Sequence, residues 1–298
     1  MRLSRCVFAL SIIFCLSLSL FPKIKVVATY PYIADLVKTV GGENVQVKAL
    51  SKGSWDPHTI VPKPSLIAKV RKADLLIING AQLELGWLPP LLNQANNAGV
   101  MPGKKGFLDL SKSVTLIQVP DSVSRAGGDI HPAGNPHYCL NPDHIPLLSA
   151  AITAKLEQMD SGNSSLYREN NKVFQELWAK KLGEWETVMS PLKGKKVIEY
   201  HRNMDYFLER FGIEVCETVE PLPGIPPTSR HVRHLIDKVR NGGIALILHD
   251  VYHSKKTSKF LSQKTGIPYV IVPHDVGAVD EALDVVTLYQ QIVERLTK

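Results

Sequence analysis

Three histidines sit in stiff local frames: Asp56-Pro57-His58, Asn135-Pro136-His137 and Glu199-Tyr200-His201. They lie far apart in the chain, each near the end of a predicted strand or in the loop after one. Strand ends are where open α/β sheets gather ligand groups. Three imidazoles converging from three loops make a transition-metal site, with zinc as the first expectation. Prolines bracket His58 (Pro57, Pro62, Pro64) and His137 (Pro136, Pro142), which suits ligands held at fixed geometry.

A fourth ligand is expected from the second half, where His274-Asp275 follows a predicted strand and either residue could bind. Asp250, after another strand, is a weaker ligand and better suited to hydrogen-bonding a ligating imidazole. His131 reads as a solvated or auxiliary group. His144, His231, His234, His249 and His253 read as structural or solvated. Cys139, two residues from His137, is a lower-ranked thiolate alternative.

Other chemistries are missing. The chain has no phosphate-binding G-x-x-x-x-G-K-[ST], no G-x-G-x-x-G after a strand, no G-x-S-x-G elbow and no H-E-x-x-H helix.

The elements that must position the histidines alternate in type. Short β-branched runs at 24–29, 45–50 and 75–79 are separated by helical stretches at 32–40 and 65–72, and a further helix follows at 87–97. Weaker strands are expected at 107–110 and 114–118. A long loop, 120–142, rich in Gly, Pro, Ser and Asn, carries His131 and His137. Helices at 145–159 and 166–189 come next, the second long enough to run between two domains and capped by Ser164 or Ser165. Strands at 197–200, 213–219, 245–249 and 269–272 then alternate with helices at 204–211, 228–240, 254–265 and 279–296. This order predicts an α/β protein: two lobes of parallel sheet flanked by helices, joined by a long rigid linking helix, with the metal in the interlobe cleft. The expected division is a signal peptide over 1–19, an N-terminal lobe over 20–160, a linking helix over 161–191 and a C-terminal lobe over 192–298.

The first 19 residues read as a secretion signal. Arg2 and Arg5 precede an uncharged apolar run from Cys6 to Leu20, too short for a typical span, and Ser17-Leu18-Ser19 offers small residues for cleavage. Cys15 lacks a small residue before it, which argues against lipid modification. Cleavage would leave Cys139 and Cys216, which could pair but do not make a disulfide framework. The formal charge is +7, or about +5 without the signal. Lys193, Lys195 and Lys196 form the one dense basic run, and without a basic stripe or interleaved aromatics nucleic-acid binding is not expected.

Several of these segments, in order, resemble the metal-binding solute-binding proteins of bacterial ABC importers, the zinc and manganese cluster. Asp56-Pro57-His58 through Pro64-Ser65 is similar to the family's D-P-H-x-[YF]-x-P-x-P-S, with Ile60 at the aromatic position. Thr29-Tyr30-Pro31-Tyr32-Ile33-Ala34-Asp35 resembles its first strand and helix. The Ala73-Asp74-Leu75, Asn79-Gly80, Glu84 and Trp87 block, Asn135-Pro136-His137, Tyr200-His201 with Tyr206-Phe207, and Pro223–Thr228 resemble its later motifs. Cys139 and Asn141 depart from a tryptophan and an aspartate.

The resemblance implies an exported, monomeric binding protein, not an enzyme. It would carry an ion to a membrane permease and its ATPase subunit. The family's usual fourth ligand lies in a D-x-[LI]-G segment, and counting back from Gly277 puts His274 there, beside Asp275. Manganese-selective relatives tend to carry a carboxylate where this chain has His201. The expected cargo is therefore Zn²⁺, with Mn²⁺ or iron as the alternative. A secreted zinc hydrolase with Asp250 as its base, and a carrier of a small organic ligand, are the rival readings.

Overall fold

The computed structural model describes residues 22–121 and 131–298. The expected signal peptide and part of the 120–142 loop lie outside the described residues. Among the described residues, no helix is long and apolar enough to cross a membrane.

Two four-stranded parallel sheets carry the molecule. The first contains β1 (Ile24–Ala28), β2 (Val45–Ala49), β3 (Leu75–Ile78) and β4 (Phe107–Asp109), in the order β2-β1-β3-β4. The second contains β5 (Lys196–Glu199), β6 (Glu214–Thr218), β7 (Ile244–His249) and β8 (Tyr269–Ile271), in the equivalent order β6-β5-β7-β8. In both, the first strand is internal and strand order reverses beside it. That switch point is where loops splay apart and leave room for a ligand.

Helices connect the strands. In the first lobe they are α1 (Pro31–Gly41), α2 (Pro64–Arg71) and α3 (Leu88–Ala95), each with proline in its first turn, where no N–H is needed. α1 stops at Gly42, whose φ of 53° lies in the left-handed region. Then come α4 (Ile145–Met159) and the 26-residue α5 (Ser164–Met189), followed by α6 (Asp205–Arg210), α7 (Ser229–Gly242), α8 (Lys256–Thr265) and α9 (Val285–Thr297). α5 packs on α1 and α4 of the first lobe and on α9 of the second, as the linking helix. Trp178, Trp185 and Tyr289 interlock at its centre, with ring centroids 4.9–5.6 Å apart. One apolar core runs from Val26 and Leu36 through these rings to Phe207 and Leu288, so the lobes share buried surface. A smaller core, with Ile198, Leu235, Val239, Ile247 and Leu261, lies under α7 and α8.

Three local expectations are corrected. The 114–118 segment forms no strand: Ile117 N–H donates to the Tyr206 hydroxyl and Ile117 O accepts from Asn135, so its backbone is spent on loops and on the other lobe. α5 begins after Asn163, with no side-chain cap from Ser164 or Ser165. The last helix starts at Val285, not 279, because Asp284 and Thr287 form a reciprocal capping box there. Thr228 does cap α7, accepting from His231 N–H.

Candidate metal centre

The loop after β2 is built around Pro57, whose carbonyl accepts from the Tyr30 hydroxyl at 2.9 Å and from Trp87 Nε1 at 3.2 Å. That anchors the next residue, His58. Asp56 Oδ1 accepts from both the backbone N–H (2.9 Å) and Nδ1 (3.0 Å) of His58. A carboxylate on Nδ1 fixes the tautomer and leaves Nε2 with its lone pair. Burial works to raise the Asp56 carboxyl, but the bonds from His58 and Thr59 outweigh it and hold it well below the usual carboxylate range.

His137 is held by a polar lattice. Its N–H donates to Asn135 Oδ1 at 2.9 Å, and Asn79 Nδ2 donates to Pro136 O at 3.1 Å. Asn135 Nδ2 also donates to Arg202 O, at 2.9 Å, in the other lobe. Burial first, then the facing His58 and His201 rings, push the His137 imidazole well below its ordinary value. Its ring is therefore neutral at neutral pH.

His201 leaves the end of β5. Its Nδ1 lies 2.8 Å from Glu220 Oε2, and its Nε2 lies 3.3 Å from His137 Nε2. A carboxylate oxygen only accepts, so Nδ1 carries the proton and Nε2 the lone pair. Behind it, Glu220 Oε1 meets His253 Nε2 at 3.2 Å and His253 Nδ1 meets Asp250 Oδ2 at 2.7 Å. Burial raises Glu220, but the two imidazoles outweigh it and pull it down to about 2. Burial lowers His253, yet Asp250 and Glu220 push it up to about 9.

The three rings form a near-equilateral triangle, with centroids 5.2, 5.2 and 5.3 Å apart. One ligand atom from each of His58, His137 and His201 lies within 4.8 Å of the others. Among the described residues, this is the one such group of His, Cys, Asp or Glu.

Other expected site residues fall elsewhere. His274 is buried beside the cluster. Its Nε2 lies 3.2 Å from Trp55 O and so donates, while Nδ1 has no partner among the described residues. Burial depresses its pKa to about 4. Asp275 turns to the other lobe, where Oδ1 accepts from Tyr32 N–H (2.8 Å) as well as from Val276 N–H (2.7 Å), and burial pushes it up to about 8.

Asp250 bonds none of His58, His137 and His201. It accepts from Tyr252 N–H and from His253, and the carboxylate that bonds a histidine of the cluster is Glu220. His253, expected to be structural or solvated, is the bridge between the two carboxylates. Neither was singled out from sequence; the one available signal was Glu220 standing one residue beyond a strand end, next to the motif Pro223–Thr228.

His131 stacks on His58 with centroids 5.4 Å apart, as an auxiliary neighbour. His144 and His231 bond backbone carbonyls, and His249 bonds Ser258. Cys139 and Cys216 are not bonded to each other. Cys139 stands outside the three-histidine cluster, and burial pushes its thiol up, away from the thiolate a ligand needs.

Comparisons with known proteins bear on this geometry. Residues 26–298 match the family model described as zinc-uptake complex component A, periplasmic (ZnuA). The chain is similar to the manganese ABC transporter substrate-binding lipoprotein PsaA of Streptococcus mitis, 25% identical over 251 residues, covering 83% of this chain and 78% of that protein. The metal ABC transporter substrate-binding lipoprotein FimA of Streptococcus parasanguinis is 24% identical over the same span and coverage. Among solved structures, the crystal structure of ZnuA superposes with a TM-score of 0.75 at 20% identity, covering 92% of this chain and 99% of that one. A cadmium-bound periplasmic metal-binding protein from Candidatus Liberibacter asiaticus gives 0.76 at 19% identity, covering 92% and 98%. At these identities the structural likeness establishes the two-lobed fold.

Proposed function

The chain belongs to the zinc-uptake complex component A family, and on that premise we propose that its cargo is Zn²⁺, held by His58, His137, His201 and the Nδ1 atom of His274. It is an extracytoplasmic metal-binding substrate-binding protein of an ABC importer, a partner of a permease and its ATPase and not an enzyme. The hydrolase and organic-ligand readings fall with that membership.

The observation that supports the zinc reading is the convergence of three imidazoles from both lobes. Zinc–nitrogen bonds of about 2.0–2.1 Å in a tetrahedron imply an edge of about 3.3 Å. The His137 and His201 Nε2 atoms stand 3.3 Å apart. His274 supports the fourth position because its Nδ1 keeps an unshared lone pair in a buried setting, whereas Asp275 is occupied by two backbone N–H groups. The lobes enclosing the ion would be residues 20–160 and 192–298, around the linker 161–191, and the carrier would act as a monomer.

Manganese is the second reading, favoured by the PsaA relatives. A site of imidazoles without a carboxylate suits the softer ion better. Calorimetric titration of the metal-stripped protein with Zn²⁺ and Mn²⁺ separates the two. One tight zinc site with weak manganese binding is expected, and a preference for manganese would overturn the zinc assignment. His274→Ala should then weaken zinc binding more than Asp275→Asn; the reverse order would move the fourth ligand to Asp275.

A further inference from the structure

Outside the metal centre, the outer layer of the second lobe gathers charge that is dispersed in the sequence. α7 and α8 pack against each other over the small second core. α7 turns Leu235 and Val239 inward and leaves Arg230, Arg233 and Arg240 exposed; α8 turns Leu261 inward and leaves Lys256, Lys259 and Lys264 exposed. Among the described residues, none of these six cations forms an ion pair. Glu217, on the neighbouring strand, is already engaged by His234 and Lys238. Asp237 is the one acidic residue within either helix. Phe260 lies on the same exposed side of α8 as Lys256 and Lys264, 43% exposed, with the Lys264 ammonium 5.6 Å from its ring.

We propose that this α7–α8 face is an interaction surface for an anionic phospholipid bilayer. The exposed cations come from two adjacent helices, and such a spread of charge fits an extended anionic surface better than a small ligand. None of the six belongs to the three-histidine cluster, so the attraction is independent of the metal site. Each Lys or Arg near an anionic leaflet contributes on the order of 1 kcal/mol, equivalent to about fivefold in partitioning. An exposed aromatic beside ammonium groups suits the headgroup boundary, where an apolar ring enters and its cations stay with phosphate. A nucleic acid is a poorer occupant, because one aromatic offers no run of stacking platforms. The choice of a bilayer rests on the importer reading, which puts the chain beside a membrane permease. Contact with the lipid surface would turn a three-dimensional search for the permease into a two-dimensional one.

Co-sedimentation of the mature, metal-loaded protein with phosphatidylcholine vesicles, with and without phosphatidylglycerol, tests this. Binding is expected with phosphatidylglycerol only, and it should weaken steeply as salt shortens the Debye length. The Arg233→Gln, Arg240→Gln, Lys256→Gln, Lys259→Gln quadruple variant should lose binding by a few hundredfold, while its zinc affinity and thermal midpoint stay as in the parent. Phe260→Ser should lose severalfold. Equal binding to neutral vesicles, no binding to anionic ones, or anionic binding untouched by the quadruple substitution would each overturn the proposal. Retention on a heparin column without vesicle binding would overturn it in favour of a soluble polyanion. Failure of zinc binding in the parent would sink the zinc assignment without touching this result.

Discussion

The two sheets share one strand order, yet they use their switch points differently. At the carboxyl end of the first sheet, the buried Glu84 accepts from Thr29 Oγ1 (2.8 Å), Asn79 N–H (2.7 Å) and Gly80 N–H (3.0 Å). All three donors are neutral, and burial still pushes its carboxyl up to about 7. At the equivalent end of the second sheet, Glu220 faces two imidazoles and is pulled down to about 2. One carboxylate locks a turn that carries Trp87, which in turn steadies Pro57 and His58. The other orients His201 directly. A parallel sheet supplies the place for a buried acid, and the partner's charge decides whether that acid serves stability or ligand geometry.

Removing a member of the triangle should give the largest effect. His201→Ala is expected to weaken zinc binding beyond the roughly 10–100-fold that loss of a supporting partner costs. A chelator-competition titration reads this directly, and an unchanged affinity would detach His201 from the site.

The Glu pair sharpens the contrast between lobes. Glu220→Gln should lower zinc affinity about 10–100-fold with little change in thermal midpoint. Glu84→Gln should do the reverse, leaving affinity within a few fold while costing about 1–3 kcal/mol of stability, because a buried N–H loses its acceptor. Equal effects of the two substitutions on affinity would erase the distinction between the two carboxylates.

The pH dependence of the metal-free protein has opposite signs at the two ends. Glu220 has a depressed pKa, so its stabilisation is present above the unfolded value of 4.5 and is lost as pH falls toward about 2. His253 has a raised pKa, so its contribution is complete below 6.5 and disappears as pH rises through about 9. Glu84 is raised, so it is a cost that grows as pH climbs from 4.5 to about 7. Denaturant titrations from pH 3 to 10 should therefore place maximal stability between about pH 4.5 and 6.5, with a Glu84→Gln variant flatter on the way to neutrality. A parent protein most stable above pH 9 would contradict this. Zinc binding itself should weaken in acid, since protonated imidazole cannot ligate.

The smallest expected effect separates support from site. Thr228→Ala removes the cap of α7 and should cost about 1 kcal/mol of stability. Zinc affinity should not move, because that helix packs on the second core and away from the histidines. A concurrent fall in affinity would mean the outer layer reaches the cluster.

Much of this protein is legible in its sequence. The alternation of β-branched runs with amphipathic stretches determines two parallel sheets, because period and length are local properties of the chain. Thr228 at a helix start and Gly42 past a helix end are equally local, set by orphan N–H groups and by a left-handed φ. The proline-framed histidines could be singled out for the same reason, since rigidity around a ligand is written within a few residues.

What the sequence left open concerns partners separated by many residues. Tertiary packing brought Glu220, not Asp250, to His201. It turned Asp275 to the backbone of Tyr32 and left His274 with an unshared nitrogen. It also packed α7 against α8, whose arginines and lysines are exposed. In each case the decisive quantity is which charge or lone pair is desolvated beside which other group, and no spacing along the chain encodes that; only the docking of helices on sheets, and of one lobe on the other, sets those distances.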